Sequence, residues 1–131
     1  MTSILLVEDH ATFASVLVRL LMTTNDLVIT SVAQTAESAL QELLMRQFDL
    51  VLVDVSLPRM NGINLVSLIR DQYPALPCLM LSGHALAHYK NRALEAGARG
   101  YILKDNAKGI VDGIRRVLKG EIYVSKELHQ R

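Results

Sequence analysis

The stretch Phe48-Asp49-Leu50-Val51-Leu52-Val53-Asp54-Val55-Ser56-Leu57-Pro58-Arg59-Met60-Asn61-Gly62 decides the fold. Four consecutive apolar residues, Leu50 to Val53, suit a strand covered on both faces, as in a parallel sheet flanked by helices. The run ends in a carboxylate, Asp54. Pro58 and the Asn61-Gly62 pair then stop the strand and predict a loop before the next helix. In open α/β sheets the carboxyl ends of the strands are where ligands bind. A carboxylate at that edge is costly to desolvate, so it needs a partner or a task. Taken alone, such an Asp is more often a plain cap; the remaining strands change that balance.

Working outward, Ser3 to Val7 is a short apolar strand ending in Glu8-Asp9, and from His10 the pattern becomes helical through Phe13, Val16, Leu17, Leu20 and Leu21. Leu27 to Ala33 reads as a second strand. Thr35 is a good N-cap for a helix with Ala36, Ala39, Leu40, Leu43 and Leu44 on one face. After the central strand, Asn61 caps a helix with Leu65, Val66 and Ile69 inward. Cys78 to Leu81 forms a fourth strand ending at Ser82-Gly83, and a more polar helix follows from about Leu86 to Glu95, stopping at Gly97. Arg99 to Leu103 is a fifth strand ending at Lys104. Asn106 opens a last helix with Ile110, Val111, Ile114, Val117 and Leu118 inward, until Gly120.

Five strands alternating with five helices predict an α/β fold: a doubly wound, five-stranded parallel sheet with helices on both faces and right-handed crossovers. The expected strand order is 2-1-3-4-5. Residues 1–120 are read as one domain, and residues 121–131, of mixed composition, as the start of a linker.

Composition narrows the function. The chain has 131 residues, half of them hydrophobic, with 14 basic and 13 acidic side chains for a formal charge of +1. That length suits one core, and that balance offers no general electrostatic case for nucleic acid or a membrane surface. The single cysteine, Cys78, fits a small buried hydrophobe in a reduced compartment. With no signal-peptide pattern and no apolar run long enough to span a bilayer, a soluble, cytoplasmic protein is expected.

With parallel strands, Glu8 and Asp9, Asp54, Ser82 and Lys104 all fall on one edge of the sheet, at the ends of strands that are neighbours in the expected order. Three carboxylates there repel one another and raise each other's pKa unless a cation is present. Lys104 offsets one of the three negative charges, and a divalent ion would offset the other two. A few carboxylates with positions open to water and phosphate suit Mg²⁺ better than a closed Ca²⁺ cage. Each residue alone is weak evidence; together, at successive strand ends, they form a strong signal.

On Glu8-Asp9, Asp54 with Pro58 and Gly62, Ser82-Gly83, and Gly97-Ala98-Arg99-Gly100-Tyr101 with Lys104, residues 3 to about 120 resemble a receiver domain of bacterial two-component response regulators, with its flavodoxin-like fold. The resemblance implies that Asp54 accepts a phosphoryl group from the phosphohistidine of a histidine kinase. It implies Mg²⁺ held by Glu8, Asp9, Asp54 and the backbone carbonyl of Ser56, with Ser82 and Lys104 binding phosphoryl oxygens. Tyr101 matches the switch aromatic, which turns inward when Ser82 moves toward the phosphate. The expected protein is a switch rather than a turnover enzyme, catalysing only its own phosphorylation and dephosphorylation, and forming a homodimer on phosphorylation. In-line phosphoryl transfer asks a protein chiefly for positioning and charge neutralisation.

His10 and His84 lie beside these residues in sequence and read as ordinary surface positions. The stretches Ala96 to Asp105 and Lys119 to Ser125 are similar to regulators with a C-terminal LuxR-type helix-turn-helix domain, which would act on transcription and carry any DNA binding. Either this chain is part of such a longer protein, the favoured expectation, or it is a stand-alone receiver acting through protein contacts or in a phosphorelay. Two rivals fit less well. A haloacid-dehalogenase-type phosphatase needs a second Asp two residues after the nucleophile, where this chain has Ser56. A flavodoxin-like cofactor module needs a phosphate-cradling loop after the first strand, where Glu8-Asp9 would repel phosphate.

Overall fold

The computed structural model describes residues 1–83 and 87–126, with the side chains of Ala87 and His88 outside the description. The elements are β1 (Thr2–Val7), α1 (Ala11–Met22), β2 (Leu27–Ala33), α2 (Ala36–Met45), β3 (Leu50–Asp54), α3 (Gly62–Gln72), β4 (Cys78–Ser82), α4 (Ala87–Ala96), β5 (Gly100–Leu103), α5 (Ala107–Leu118) and β6 (Tyr123–Val124). The strands form one sheet in the order β2-β1-β3-β4-β5-β6, every neighbouring pair parallel. The expected α/β order is therefore present, with one correction: the described residues build six strands, not five.

The sheet has two buried faces because successive strand side chains point to opposite sides. Leu5, Val7, Val51, Val53 and Met80 pack with residues of α2, α3 and α4. Ile4, Leu6, Leu50, Leu52, Leu79 and Leu81 pack with residues of α1 and α5. Leu50 to Val53 are each 0% exposed, which is why that run lacks the alternation of a half-solvated strand. Burying each such side chain contributes about 1.5–3 kcal/mol before chain entropy is counted.

The helix starts form as their caps dictate. The Thr35 hydroxyl accepts from the Ser38 N–H at 3.0 Å. Asn61 and Asn106 each accept through Oδ1 at 2.9 Å, from the Asn64 and Gly109 N–H groups. The inward stripes are narrower than expected. Leu44 is 79% exposed and Val16 54% exposed. Each stands one residue from a buried neighbour, Leu43 or Leu17, and one residue is a 100° turn of the helix, enough to leave a narrow contact face. Leu118, at the end of α5, also stands partly in solvent.

β6 arises from the stretch expected to begin a linker. The Tyr123 N–H donates to the Arg99 carbonyl and the Ser125 N–H to the Tyr101 carbonyl, both at 3.0 Å. Ser125 is fully buried, and its Oγ accepts from the Leu103 N–H at 3.1 Å. Gly113 leaves room for this strand, since a Cβ there would overlap Ile102 and crowd the Tyr123 ring. No helix among the described residues is long and apolar enough to cross a membrane.

Candidate functional site

The carboxyl ends of β1, β3, β4 and β5 meet at one edge. Glu8 follows β1, Asp54 is the last residue of β3, Ser82 the last of β4, and Lys104 follows β5. Backbone hydrogen bonds lock these ends into register: the Val55 N–H donates to the Leu81 carbonyl at 3.0 Å, and the Lys104 N–H to the Ser82 carbonyl at 2.9 Å. Gly62 closes the loop after β3 by donating its N–H to the Val55 carbonyl at 2.8 Å. A Cβ at Gly62 would overlap the Asp54 carbonyl oxygen, so the close approach of α3 to the acid requires glycine.

Glu8 and Asp54 are buried acids, 1% and 3% exposed. The Lys104 ammonium stands between them, 2.9 Å from Glu8 Oε1 and 3.3 Å from Asp54 Oδ1. The Ser56 N–H donates to Asp54 Oδ1 at 3.2 Å, and the His10 N–H to Glu8 Oε2 at 3.1 Å. Burial, then the charge of Glu8, lifts the Asp54 carboxyl from its ordinary 3.8 to about 6, against the opposing pull of Lys104 and the Ser56 N–H. Burial would lower Lys104, but its contacts with Glu8 and Asp54 outweigh that and raise it.

Asp9 and His10 are exposed, and the donor atoms of Glu8, Asp9 and His10 lie within 4.8 Å of one another. Glu8 and Asp9 therefore sit together with His10, and Asp54 joins Glu8 through Lys104. Ser82 is buried, and Tyr101 is 0% exposed. Burial raises the Tyr101 phenol above its usual value, while the Ser82 hydroxyl works to lower it. Tyr101 thus faces inward here. His84 lies outside the described residues.

Two relationships at this site are not plainly visible in the sequence. Lys104, expected to meet a phosphoryl group, is held first by Glu8. Phe13, read only as part of a helical stripe, has its ring 4.7 Å from the Lys104 ammonium. An aromatic in the first turn after an acidic strand end was the available signal for the second.

Paired buried acids with a lysine stand at the carboxyl edge of a doubly wound sheet, the edge where this class of α/β proteins binds its ligands. The chain belongs to the response regulator receiver domain family, whose model matches residues 4–115. The transcriptional regulatory protein MctR of Rhizobium johnstonii is 32% identical over 125 residues, covering 93% of this chain and 58% of that protein. The uncharacterized transcriptional regulatory protein YvfU of Bacillus subtilis is 30% identical over 129 residues, 98% of this chain and 64% of the relative. The chain spans about half to two thirds of the length of such relatives. Among solved structures, a LuxR-family two-component response regulator from Aurantimonas sp. superposes with a TM-score of 0.94 at 28% identity, covering 99% of this chain and 94% of that one.

Proposed function

We propose that Asp54 is the phosphoacceptor of this receiver domain, taking a phosphoryl group from the phosphohistidine of a sensor histidine kinase. The observation that carries this is the buried Asp54 carboxylate, tied to Glu8 through a shared lysine and titrating near 6. At neutral pH it is mostly ionised, so an oxygen can attack phosphorus. The P–O bond forms as the P–N bond breaks, and the leaving imidazole takes a proton. Lys104 would follow the developing charge onto the phosphoryl oxygens, and Ser82, buried at the next strand end, would donate to one of them.

The residues fit a divalent cation. Three carboxylates against one ammonium leave the cluster two negative charges, and two of those carboxylates, Glu8 and Asp54, are buried. The donors on offer are chiefly carboxylate oxygens, the ligands Mg²⁺ prefers. Glu8, Asp9, Asp54 and the Ser56 carbonyl are the set proposed to hold it. Bound there, Mg²⁺ would neutralise acid charge and that of the incoming phosphate. Ser82 and Tyr101 would then relay the phosphorylated state to α4 and β5.

In this reading the chain is a self-catalysed switch in the cytoplasm rather than a turnover enzyme. Its receiver runs from residue 1 through β6 to Ser125 rather than ending at 120, with an output domain proposed to follow. That domain, of LuxR-type helix-turn-helix kind, would bind DNA and control transcription, aided by receiver dimerisation on phosphorylation. The test is intact-mass measurement after acetyl phosphate and Mg²⁺. A single phosphoryl adduct that disappears with chelator and in Asp54→Asn is expected; an equal adduct in all three samples would refute the reading.

A further inference from the structure

We infer that Phe13 is a positioning residue for Lys104: its ring holds the ammonium over the acid pair without binding it through a hydrogen bond, leaving it able to move onto the phosphoryl group. This rests on the reading of Asp54 as acceptor and extends it to a side chain that touches neither the acid nor the phosphate.

The Lys104 ammonium has three N–H groups and no acceptor. Glu8 Oε1 at 2.9 Å and Asp54 Oδ1 at 3.3 Å account for two directions. The Phe13 ring centroid lies 4.7 Å away, inside the range where the negative face of an aromatic ring attracts a cation. The Lys104 side chain is only 20% exposed, so water dilutes that attraction less than at an open surface. Phe13 is half-buried and packs against the core between the sheet, α1 and α5, which fixes the ring. It also stands in the first turn of α1, five residues after Glu8, so one short segment supplies both the acid and the ring.

The chemistry of the third partner matters. A further carboxylate or amide there would anchor the ammonium through a directional bond. A ring offers attraction with a broad minimum, so the ammonium can exchange Glu8 for a phosphoryl oxygen while staying over the same surface. Ordinary core packing explains the burial of Phe13, but it assigns nothing to the electrostatics of its face.

The experiment separates volume from electrostatics in the full chain. Phe13 is replaced by mono-, di- and trifluorinated phenylalanine, which nearly keep its shape while draining charge from the ring face, and by Leu (Phe13→Leu). Each protein is labelled with acetyl phosphate and Mg²⁺, and its thermal midpoint is measured. The phosphorylation rate constant is expected to fall in step with fluorination and by about three- to tenfold in Phe13→Leu, the weight of a partly shielded cation–ring contact. Thermal midpoints across the fluorinated series should stay level. The Lys104 ε-methylene protons, shifted upfield by the ring in the wild type, should return to ordinary positions in Phe13→Leu. Equal rates across the series would overturn the role, as would rates that merely track the thermal midpoint. A wild type that takes no label overturns the acceptor reading and this role together, whereas labelling indifferent to the ring overturns this role alone.

Discussion

Lys104 stands closer to Glu8 than to Asp54, 2.9 Å from Oε1 of the first and 3.3 Å from Oδ1 of the second. One ammonium thus holds two buried acids that would otherwise repel. Lys104→Met removes that charge while keeping much of the apolar stem. The Asp54 carboxyl should then titrate above its present value of about 6, because burial and Glu8 act on it unopposed by a cation. Carbon NMR of the Asp54 carboxyl across pH, in metal-free buffer, checks this. An unchanged or lower midpoint would mean that Lys104 does not govern the acid.

The raised Asp54 pKa also fixes how stability depends on pH. Below 3.8 the group is protonated both folded and unfolded and contributes no difference. Between 3.8 and about 6 only the folded chain keeps the proton, so stability falls as pH rises through that window. Above it, the buried charge carries its full penalty. With chelator present, Asp54→Asn should therefore stabilise the chain by about 1–3 kcal/mol at pH 7.5, an advantage that shrinks to nothing near pH 4. Urea melts at the two pH values measure it, and an advantage that grows on acidification would have the wrong sign.

Much of this site was legible in the chain. Leu50 to Val53 announce a strand buried on both faces because nothing polar interrupts them, and Thr35, Asn61 and Asn106 announce helix starts because their side chains replace missing backbone partners. The acids and the lysine could be gathered on one edge from strand order alone. Tyr123–Val124 could not be seen, since two residues show no alternation and their pairing depends on β5, more than twenty positions away. Nor could the preference of Lys104 for Glu8, which depends on side-chain reach rather than on position in the chain.

Ser125 supplies a check on that sixth strand. It is 0% exposed and takes the Leu103 N–H, so Ser125→Ala leaves a buried donor without its partner next to Lys104. A loss of about 1–3 kcal/mol is expected. Hydrogen exchange should quicken at the Leu103 amide more than at amides of β1. Uniform exchange, with unchanged stability, would show that residues 123–125 do not belong to the folded unit.

Cys78 should be chemically silent in the native chain. It is 3% exposed, and burial raises its thiol to about 12, leaving almost no thiolate at neutral pH. A maleimide should label it only at the rate of global unfolding, so denaturant dependence of labelling should follow that of the melt. Fast stoichiometric labelling without denaturant would contradict the packing of β4.

Asp54 is proposed to carry the phosphoryl group, and trapping the group chemically locates it. The chain is phosphorylated with acetyl phosphate and Mg²⁺, reduced with borohydride, which converts an acyl phosphate to the alcohol, and sequenced by peptide mass spectrometry. Homoserine at position 54 and unmodified acids at positions 8 and 9 are expected. Reduction at Glu8 or Asp9, or a phosphoryl group that survives borohydride on a serine or histidine, would contradict it.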